Sequence, residues 1–277
     1  MNPTRIFVPD GVSPTDALAR TTHLAIGAHP DDLEVMAYPG VAACYERSDA
    51  WFGGVVICDG AGSPHEGKPA PEDMKAARRA EQERAAQIGR YSFSLQLGLP
   101  SAAIKTAWNA SLVARLAELI DSTRPQSLYL HSPFDRHATH LAVFAHALRA
   151  VRALPEAIRP ATVLGCEVWR DLDWLSASDK VQLDASAHPK LAREILDVFG
   201  SQIQGGKNYT EATLGRRRAH ATFSDSHHVD AAEALSCAVD LGPLLKDPSL
   251  SVAAYCAERI ERFRAEALGA LAPWEGD

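Results

Sequence analysis

The chain has 277 residues, a formal net charge of −7 and a pI of about 5.9. This acidic balance argues against a general nucleic-acid-binding protein, which would need a basic surface for phosphates. A hydrophobic content of 46% is ordinary for a globular protein, and the length is sufficient for one large α/β domain with a buried core.

The cysteines and the apolar runs indicate the cellular compartment. Five cysteines occur without a CxxC pair, so we expect neither a disulfide scaffold nor a cysteine-type zinc site. The first twenty residues lack the apolar core of a signal peptide, and no apolar run approaches the roughly 20 residues that a membrane span needs. The sequence therefore predicts a cytoplasmic protein with buried free thiols.

Strand-like and helix-like segments alternate along the first 170 residues. Short apolar runs predict strands at 23–28, 52–60, 92–99, 127–132 and 162–169. Apolar residues at helical spacing predict helices at 33–46, 74–88, 111–122 and 140–154. This alternation predicts a Rossmann-like α/β fold, with a mostly parallel sheet and helices on both of its faces.

We expect a single domain over residues 1–277, because no repeat, low-complexity tract or linker interrupts the chain. Residues 1–20 resemble an arm that packs on the surface. Residues 180–277 are predicted to be mainly helical, with a strand possible near 180–183. In open α/β sheets, sites form outside the carboxyl ends of the strands, so the chemistry is expected directly after the predicted strands at 23–28, 52–60 and 127–132.

Two short segments at these strand ends carry potential metal ligands. Residues 29–32 (His-Pro-Asp-Asp) and 135–140 (Asp-Arg-His-Ala-Thr-His) each offer a histidine and a second ligand three residues on, which a helix places on nearly one face. Together they can supply three nitrogen or oxygen ligands, the pattern of a catalytic zinc site, although Fe²⁺, Co²⁺ or Mn²⁺ would accept the same ligands. Either segment alone could equally be structural, for example an Asp-rich turn that caps a helix.

The segments AHPDDLE (28–34) and DRHATH (135–140) resemble the AHPDDxE and HxxH motifs of the LmbE-like/PIG-L zinc deacetylases. That family removes acetyl groups from N-acetylglucosamine units in sugars and thiol glycosides. The resemblance covers roughly residues 23–150, and it extends to VICDGAGS (56–63) and to helix positions Arg78, Glu81, Ala85, Ala86 and Gly89.

The resemblance implies that His29, Asp32 and His140 bind zinc and that Asp31 is the general base. Physical chemistry is consistent with this division of roles. Zinc lowers the pKa of its bound water toward about 7, and a free carboxylate beside that water can accept its proton and pass it to the leaving amine.

The resemblance also implies that a protonated His137 stabilises the oxyanion and that Arg78 contacts substrate or braces the site. We expect Asp135 to orient the imidazole of His137 and keep it cationic. Glu34 is either a group that supports the ligands or a first-turn glutamate favoured by the helix dipole. One departure from the family is that residues 137–140 read His-Ala-Thr-His where the family often has His-Pro-Asp-His, which removes a possible partner of a ligand histidine.

Two C-terminal segments could reach the site. The basic run Arg216–Arg218 could bind a phosphate or carboxylate on the substrate, although a solvated helix face is the favoured interpretation. His227 and His228 could rim the pocket, but we do not predict either as a ligand.

These features favour a zinc-dependent N-deacetylase acting on an N-acetylglucosamine-type sugar or glycoside. An amidase of the same family acting on a non-acetyl or non-sugar amide is the alternative, and a non-catalytic sugar-binding member is less favoured because the base and all three ligands are present. A nucleotide-binding module is not expected, since neither GxGxxG nor a P-loop follows any strand. The expected partner is a small N-acyl sugar or glycoside, without nucleic acid or membrane, and a homo-oligomer is compatible with the family.

Overall fold

The computed structural model describes residues 6–61, 71–203 and 206–275. In this part of the chain the strands are β1 Ile6–Phe7, β2 His23–Gly27, β3 Phe52–Cys58, β4 Phe93–Leu99, β5 Ser127–His131, β6 Thr162–Cys166, β7 Lys180–Asp184 and β8 Leu235–Asp240. The α-helices are α1 Pro14–Ala19, α2 Asp32–Met36, α3 Tyr38–Cys44, α4 Pro71–Ile88, α5 Ser101–Thr106, α6 Ala110–Thr123, α7 Ala138–Ala153, α8 Pro189–Asp197, α9 Gly200–Ile203, α10 Tyr209–Thr222, α11 Gly242–Lys246 and α12 Val252–Leu271.

The eight strands form one sheet in the order β1-β4-β3-β2-β5-β6-β8-β7. The five strands from β4 to β6 in this order are parallel, whereas β1, β8 and β7 pair antiparallel at the two ends. The predicted mostly parallel α/β sheet is therefore confirmed. The chain proceeds from β2 toward β3 on one side and later returns to place β5 on the other, so a topological switch point lies between β2 and β5.

The central strands are apolar because both faces of the sheet are covered. All seven residues of β3 are buried, as are four of the five in β2. Successive residues of β2 point to opposite faces: Leu24 and Ile26 pack in the core that contains Leu116 of α6, whereas Ala25 packs in the core that contains Val41 of α3. Helices thus cover both faces, as the sequence predicted.

The structure differs from the predicted element bounds at several points. The helix expected at 33–46 is split into α2 and α3 at Ala37, whose ψ of 16° is non-helical and which lies two residues before Pro39. The strand expected at 162–169 ends at Cys166. The possible strand near 180–183 is present as β7.

The C-terminal part contains a strand that the sequence did not predict. Residues 180–277 were expected to be mainly helical, but the structure has strand β8 at Leu235–Asp240, which pairs with β6 on one side and β7 on the other. This non-local pairing overrides the local signal. The predicted N-terminal arm contributes edge strand β1 and helix α1, while its residues 1–5 lie outside the described part. Within the described residues, no helix combines the length and apolar character needed to cross a membrane.

Candidate metal centre

A cavity of about 420 Å³ opens at the carboxyl ends of the central strands. It is lined by residues that directly follow three of them: His29 and Asp32 after β2, Asp59 and Gly60 after β3, and His137 after β5. The cavity therefore lies at the carboxyl ends of the strands after which the sequence analysis expected the chemistry, and the structure adds that this is beside the switch point between β2 and β5.

The turn between β2 and α2 gives adjacent aspartates different environments. Asp31 has a φ of 88°, a left-handed conformation that Asp tolerates better than most residues, and its N–H donates to Gln82 Oε1 at 3.3 Å. Asp32 begins α2, and its Oδ2 accepts the N–H groups of Ala28 at 3.0 Å and His29 at 2.7 Å. The turn thereby fixes the Asp32 carboxylate and leaves Asp31 in the cavity lining.

The pKa values of these two carboxyl groups move in opposite directions. Burial raises the pKa of Asp31 well above its ordinary value, and the neighbouring charge of Asp32 adds to the rise. Burial alone would raise the pKa of Asp32 too, but His140, His131 and the hydrogen bonds hold it well below its ordinary value. The lowered pKa keeps Asp32 ionised, as a metal ligand must be, and the raised pKa makes Asp31 the stronger base of the two.

The side chains of His29, Asp32 and His140 bring three donor atoms together. His29 Nδ1 lies 3.4 Å from Asp32 Oδ2 and 3.2 Å from His140 Nε2, and the last two atoms are 3.4 Å apart. A tetrahedral zinc with bonds of about 2.0–2.1 Å places its ligand atoms about 3.3–3.4 Å from one another. The donor set therefore fits one zinc-sized ion, and two of the three residues, His29 and Asp32, line the cavity.

Asp135 supports a different histidine from the one expected. Its Oδ2 lies 3.0 Å from His140 Nδ1, and its Oδ1 accepts the backbone N–H of His137 at 2.8 Å. The prediction that Asp135 orients the imidazole of His137 is wrong, because the first turn of α7 directs the His140 ring toward this carboxylate. Asp135 thus replaces the partner that appeared to be missing from the His-Ala-Thr-His segment.

His131 was missed by the sequence analysis. It is fully buried, its ring stacks on His140 at a centroid distance of 4.0 Å, and its Nε2 lies 3.3 Å from Asp32 Oδ2. Asp32, His131 and His140 could therefore hold a metal as a second grouping, and so could His29, His137 and His140. His131 Nε2 already accepts the N–H of Ala28 at 2.9 Å, so its lone pair is occupied, which favours the set with His29. Its place as the last residue of β5 was the signal that could have identified it.

His137 lines the cavity beside the donor atoms. Its ring centroid is 4.5 Å from that of His140 and 5.2 Å from that of His29. Burial, followed by the charges of His140 and His29, lowers the pKa of His137. The expectation that this imidazole is cationic is therefore not supported, and a neutral ring that donates through one N–H is consistent with the structure.

Arg78 and Glu34 take different places. Arg78 is 4% exposed, donates to the carbonyl oxygen of Gly60 and lines the cavity. Glu34 is fully buried beneath the site, where it accepts from Tyr91 Oη and from Gln82 Nε2, each at 2.8 Å. Burial raises the pKa of Glu34 to about 7. Glu34 is thus part of the support below the turn, while Arg78 is placed to contact a ligand.

The C-terminal basic run is not a uniform solvated face. Arg216 lines the cavity and Arg218 is exposed, but Arg217 is 3% exposed and donates to the carbonyl oxygens of Glu34 and Val35 at 2.7 and 3.0 Å. The favoured interpretation of the run is therefore wrong for Arg217, which holds the end of α2.

Among the described residues, neither His227 nor His228 lines the cavity. Both are exposed, and His228 Nδ1 pairs with Asp225 at 2.8 Å.

An open, mostly parallel α/β sheet with a His/Asp cluster at its switch point places the protein among Rossmann-like proteins with a candidate catalytic metal centre. Residues 24–151 match the family model described as PIG-L: GlcNAc-PI de-N-acetylase. The chain therefore contains a PIG-L (LmbE-like) family domain over these residues, as its motifs predicted. No significant match was found among curated protein sequences.

Several solved structures share the fold. The conserved protein TT1542 from Thermus thermophilus is 20% identical, with 84% of this chain and 100% of that chain covered and a TM-score of 0.63. The 4-carboxy-2-hydroxymuconate hydratase GalB from Pseudomonas putida is 19% identical, with 78% and 95% covered and a TM-score of 0.59. N,N'-diacetylchitobiose deacetylase from Pyrococcus horikoshii is 14% identical, with 79% and 84% covered and a TM-score of 0.57. A hydratase and a deacetylase share this fold, so the reaction must be argued from the site.

Proposed function

We propose that the protein is a metal-dependent N-deacetylase that removes the acetyl group from an N-acetylglucosamine-type sugar or glycoside. The observation that carries this proposal is the triangle of donor atoms from His29, Asp32 and His140, with edges of 3.2–3.4 Å, together with Asp31 in the same cavity. The family domain over residues 24–151 supports amide hydrolysis as the chemistry.

His29, Asp32 and His140 would hold the ion, and two nitrogens with one carboxylate oxygen suit Zn²⁺ while also accepting Fe²⁺, Co²⁺ or Mn²⁺. When bound at such a site, a divalent ion lowers the pKa of a water toward about 7 and polarises a carbonyl oxygen. His29 and Asp32 line the cavity, so the amide would reach the ion from there.

Asp31 would move the proton in this reaction. As water oxygen attacks the amide carbonyl carbon, the Asp31 carboxylate accepts a proton from that water. When the C–N bond breaks, the same group returns the proton to the amine nitrogen, and the free amine and acetic acid, which keeps the second proton of the water and then ionises in solvent, leave. The low exposure of Asp31, 8%, keeps the group desolvated and favours proton uptake.

His137 would stabilise the negative charge that develops on the carbonyl oxygen. A neutral imidazole donates one N–H, and the position of His137 in the cavity lining, with its ring centroid 4.5 Å from that of His140, suits this contact. Loss of one such donor costs about 100- to 1,000-fold in rate, so His137→Ala should reduce turnover without removing the metal.

The test combines metal content with amine release from N-acetylglucosamine derivatives. Asp31→Asn suits it better than Asp31→Ala, because Asn tolerates the left-handed backbone at this position. We expect about one metal ion per chain in wild type and in Asp31→Asn, with amine release lost only in the variant. Asp121→Asn, on the exposed side of α6, is the matched control and should keep both properties.

Two outcomes would redirect the proposal. If metal-replete wild type binds no stoichiometric metal, the ligand set is wrong. If it binds metal but releases amine only from non-acetyl or non-sugar amides, the alternative amidase function is correct.

A further inference from the structure

One wall of the cavity carries three positive side chains, two of which lie beside an indole ring. The guanidinium carbon of Arg136 lies 6.0 Å from the centre of the Trp169 ring, and the ammonium of Lys207 lies 5.8 Å from it. Arg216 adjoins them, with Nη1 donating to the carbonyl oxygen of Val168 at 2.8 Å. All of these residues line the cavity, and we call Arg136, Trp169, Lys207 and Arg216 the Trp169 wall.

Among the described residues, two of the three positive charges of this wall have no ion-pair partner, and the third has one only at the limit of contact. Within the described part of the chain, no carboxylate lies within 4.0 Å of the charged groups of Arg136 or Lys207, and Arg216 Nε reaches Asp171 Oδ2 only at 4.0 Å. Arg136 and Lys207 are exposed, so they are free to contact a ligand.

Three acidic residues also line the cavity, and within the described part of the chain none of them forms an ion pair with this wall. Asp31 and Asp32 belong to the ligand end, and Asp59 lies 3.3 Å from the ammonium of Lys75. A chain with a net charge of −7 therefore presents a positive surface within its own cavity. A positively charged wall in the cavity of an acidic protein favours the binding of ligands that carry a negative charge.

The wall lies one ring beyond the proposed reaction centre. The rings of His140, His137 and Trp169 follow one another at centroid separations of 4.5 and 6.2 Å, and the last two are within 19° of parallel. A substrate whose acetamido group reaches the donor atoms would extend its remaining part along this line.

We propose that the Trp169 wall binds an anionic group, a carboxylate or a phosphate, on the amide substrate itself. This inference rests on the proposed deacetylase function and adds the substrate's charge to it. Lys and Arg side chains only donate hydrogen bonds, so they leave the hydroxyl donors of a neutral sugar unmatched. Carboxylate and phosphate oxygens only accept, and the Arg136 guanidinium can bind either through two parallel hydrogen bonds.

Calorimetry on the metal-loaded Asp31→Asn variant tests binding without turnover. The probes are N-acetylglucosamine, its 1-phosphate, its 6-phosphate and N-acetylmuramic acid, which carries a carboxylate. We expect at least one anionic probe to bind roughly tenfold or more tightly than N-acetylglucosamine, with an advantage that shrinks as salt is added. Whether a phosphate or the carboxylate has the advantage identifies the source of the anion.

Substitutions in the wall provide the decisive comparison. When Arg136→Gln and Lys207→Gln are introduced together into the Asp31→Asn variant, the anionic probes should lose their tighter binding relative to N-acetylglucosamine. Lys190→Gln in the same background removes an exposed positive charge on α8 and should leave the tighter binding intact. The inference is overturned if neutral and anionic probes bind alike, if no anionic probe binds, or if the advantage survives both wall substitutions.

Wild-type turnover separates this inference from the proposed function. Amine release from N-acetylglucosamine derivatives without an anionic preference would retain the function and reject the wall. Tight binding of an anionic probe without amine release from any probe would retain the anion-binding role of the wall and reject the deacetylase function.

Discussion

The carboxylate of Asp135 lies 3.0 Å from Nδ1 of His140, on the side of the imidazole opposite the Nε2 that faces His29 and Asp32. A proton held on Nδ1 by this carboxylate leaves the Nε2 lone pair free for a metal ion. Asp135 is itself fixed by the backbone N–H of His137. The contact therefore sets both the tautomer and the direction of a proposed ligand.

Asp135→Asn should weaken metal binding by about 10- to 100-fold, because the amide keeps the shape of the carboxylate but not its charge. Competition between the protein and a chromophoric chelator for Zn²⁺ measures this affinity directly. The exposed Asp121→Asn substitution on α6 removes a charge elsewhere and should leave affinity unchanged. Equal affinity in wild type and Asp135→Asn would show that this contact does not tune the site.

The main features of the fold were predictable from the sequence because burial on both faces makes the central parallel strands apolar along their whole length. The run at β3 and the helix at α6 were therefore recognised close to their true bounds. The location of the cavity was predictable for a related reason, since the carboxyl ends of parallel strands meet at one edge.

What could not be predicted depends on contacts between distant parts of the chain. From the sequence alone, Arg217 is indistinguishable from its two neighbours in a run of surface cations. The packing of α10 against the turn buries it at the end of α2. Asp135 precedes His137 by two residues and His140 by five, and only the geometry of the first turn of α7 decides which ring it meets. Strand β8 forms because β6 and β7 are available as partners.

Gln82 should contribute measurably to stability because it satisfies two buried groups. It accepts from the N–H of Asp31 at 3.3 Å and donates to Glu34 Oε1 at 2.8 Å, and its side chain is fully buried. Gln82→Met should lower the free energy of unfolding by about 1–3 kcal/mol, since both partners would lose a hydrogen bond in a buried position.

Urea denaturation of Gln82→Met measures this loss. Gln87→Met on the same helix is the matched control, because Gln87 is exposed and should change stability by less than about 0.5 kcal/mol. Equal midpoints for the two variants would contradict a structural role for the Gln82 contacts.

Gly40 is required by close packing in the core beneath the site. A Cβ at this position would lie 2.7 Å from Cε2 and 2.8 Å from Cζ of Tyr129. Gly40→Ala should therefore lower the free energy of unfolding by about 1–3 kcal/mol, because a buried ring on β5 cannot move freely.

Gly215 on α10 is the control for Gly40, because an alanine at this position is expected to stabilise the protein rather than destabilise it. A Cβ there meets nothing within 4 Å, so Gly215→Ala should raise the free energy of unfolding by up to about 1 kcal/mol through helix propensity. Thermal or urea unfolding of both variants checks the pair, and an equal effect of the two substitutions would contradict the packing argument.

His220 should make the protein less stable as the pH rises above neutrality. Its Nε2 lies 2.9 Å from Asp171 Oδ1, and its Nδ1 lies 3.6 Å from Glu167 Oε1. Burial alone would lower the pKa of His220, but hydrogen bonds to Asp171 and Cys237, with the charge of Glu167, raise it to about 10. Because the folded pKa exceeds the ordinary value of 6.5, the stabilisation is fully present below pH 6.5 and is lost as the pH rises toward 10.

Glu167 must be held constant in this measurement. Burial raises its own pKa to about 7, so its ionisation also destabilises the fold as the pH rises from about 4.5 to 7. Urea unfolding should therefore compare His220→Gln with its parent in a Glu167→Gln background, where Asp171 still faces the imidazole. The stability difference between the two proteins should be largest near pH 6 and should shrink steadily toward pH 9.5. A difference that stays constant over this range would mean that His220 does not bind its proton more tightly in the folded state, and that the Asp171 contact is a hydrogen bond to a neutral ring.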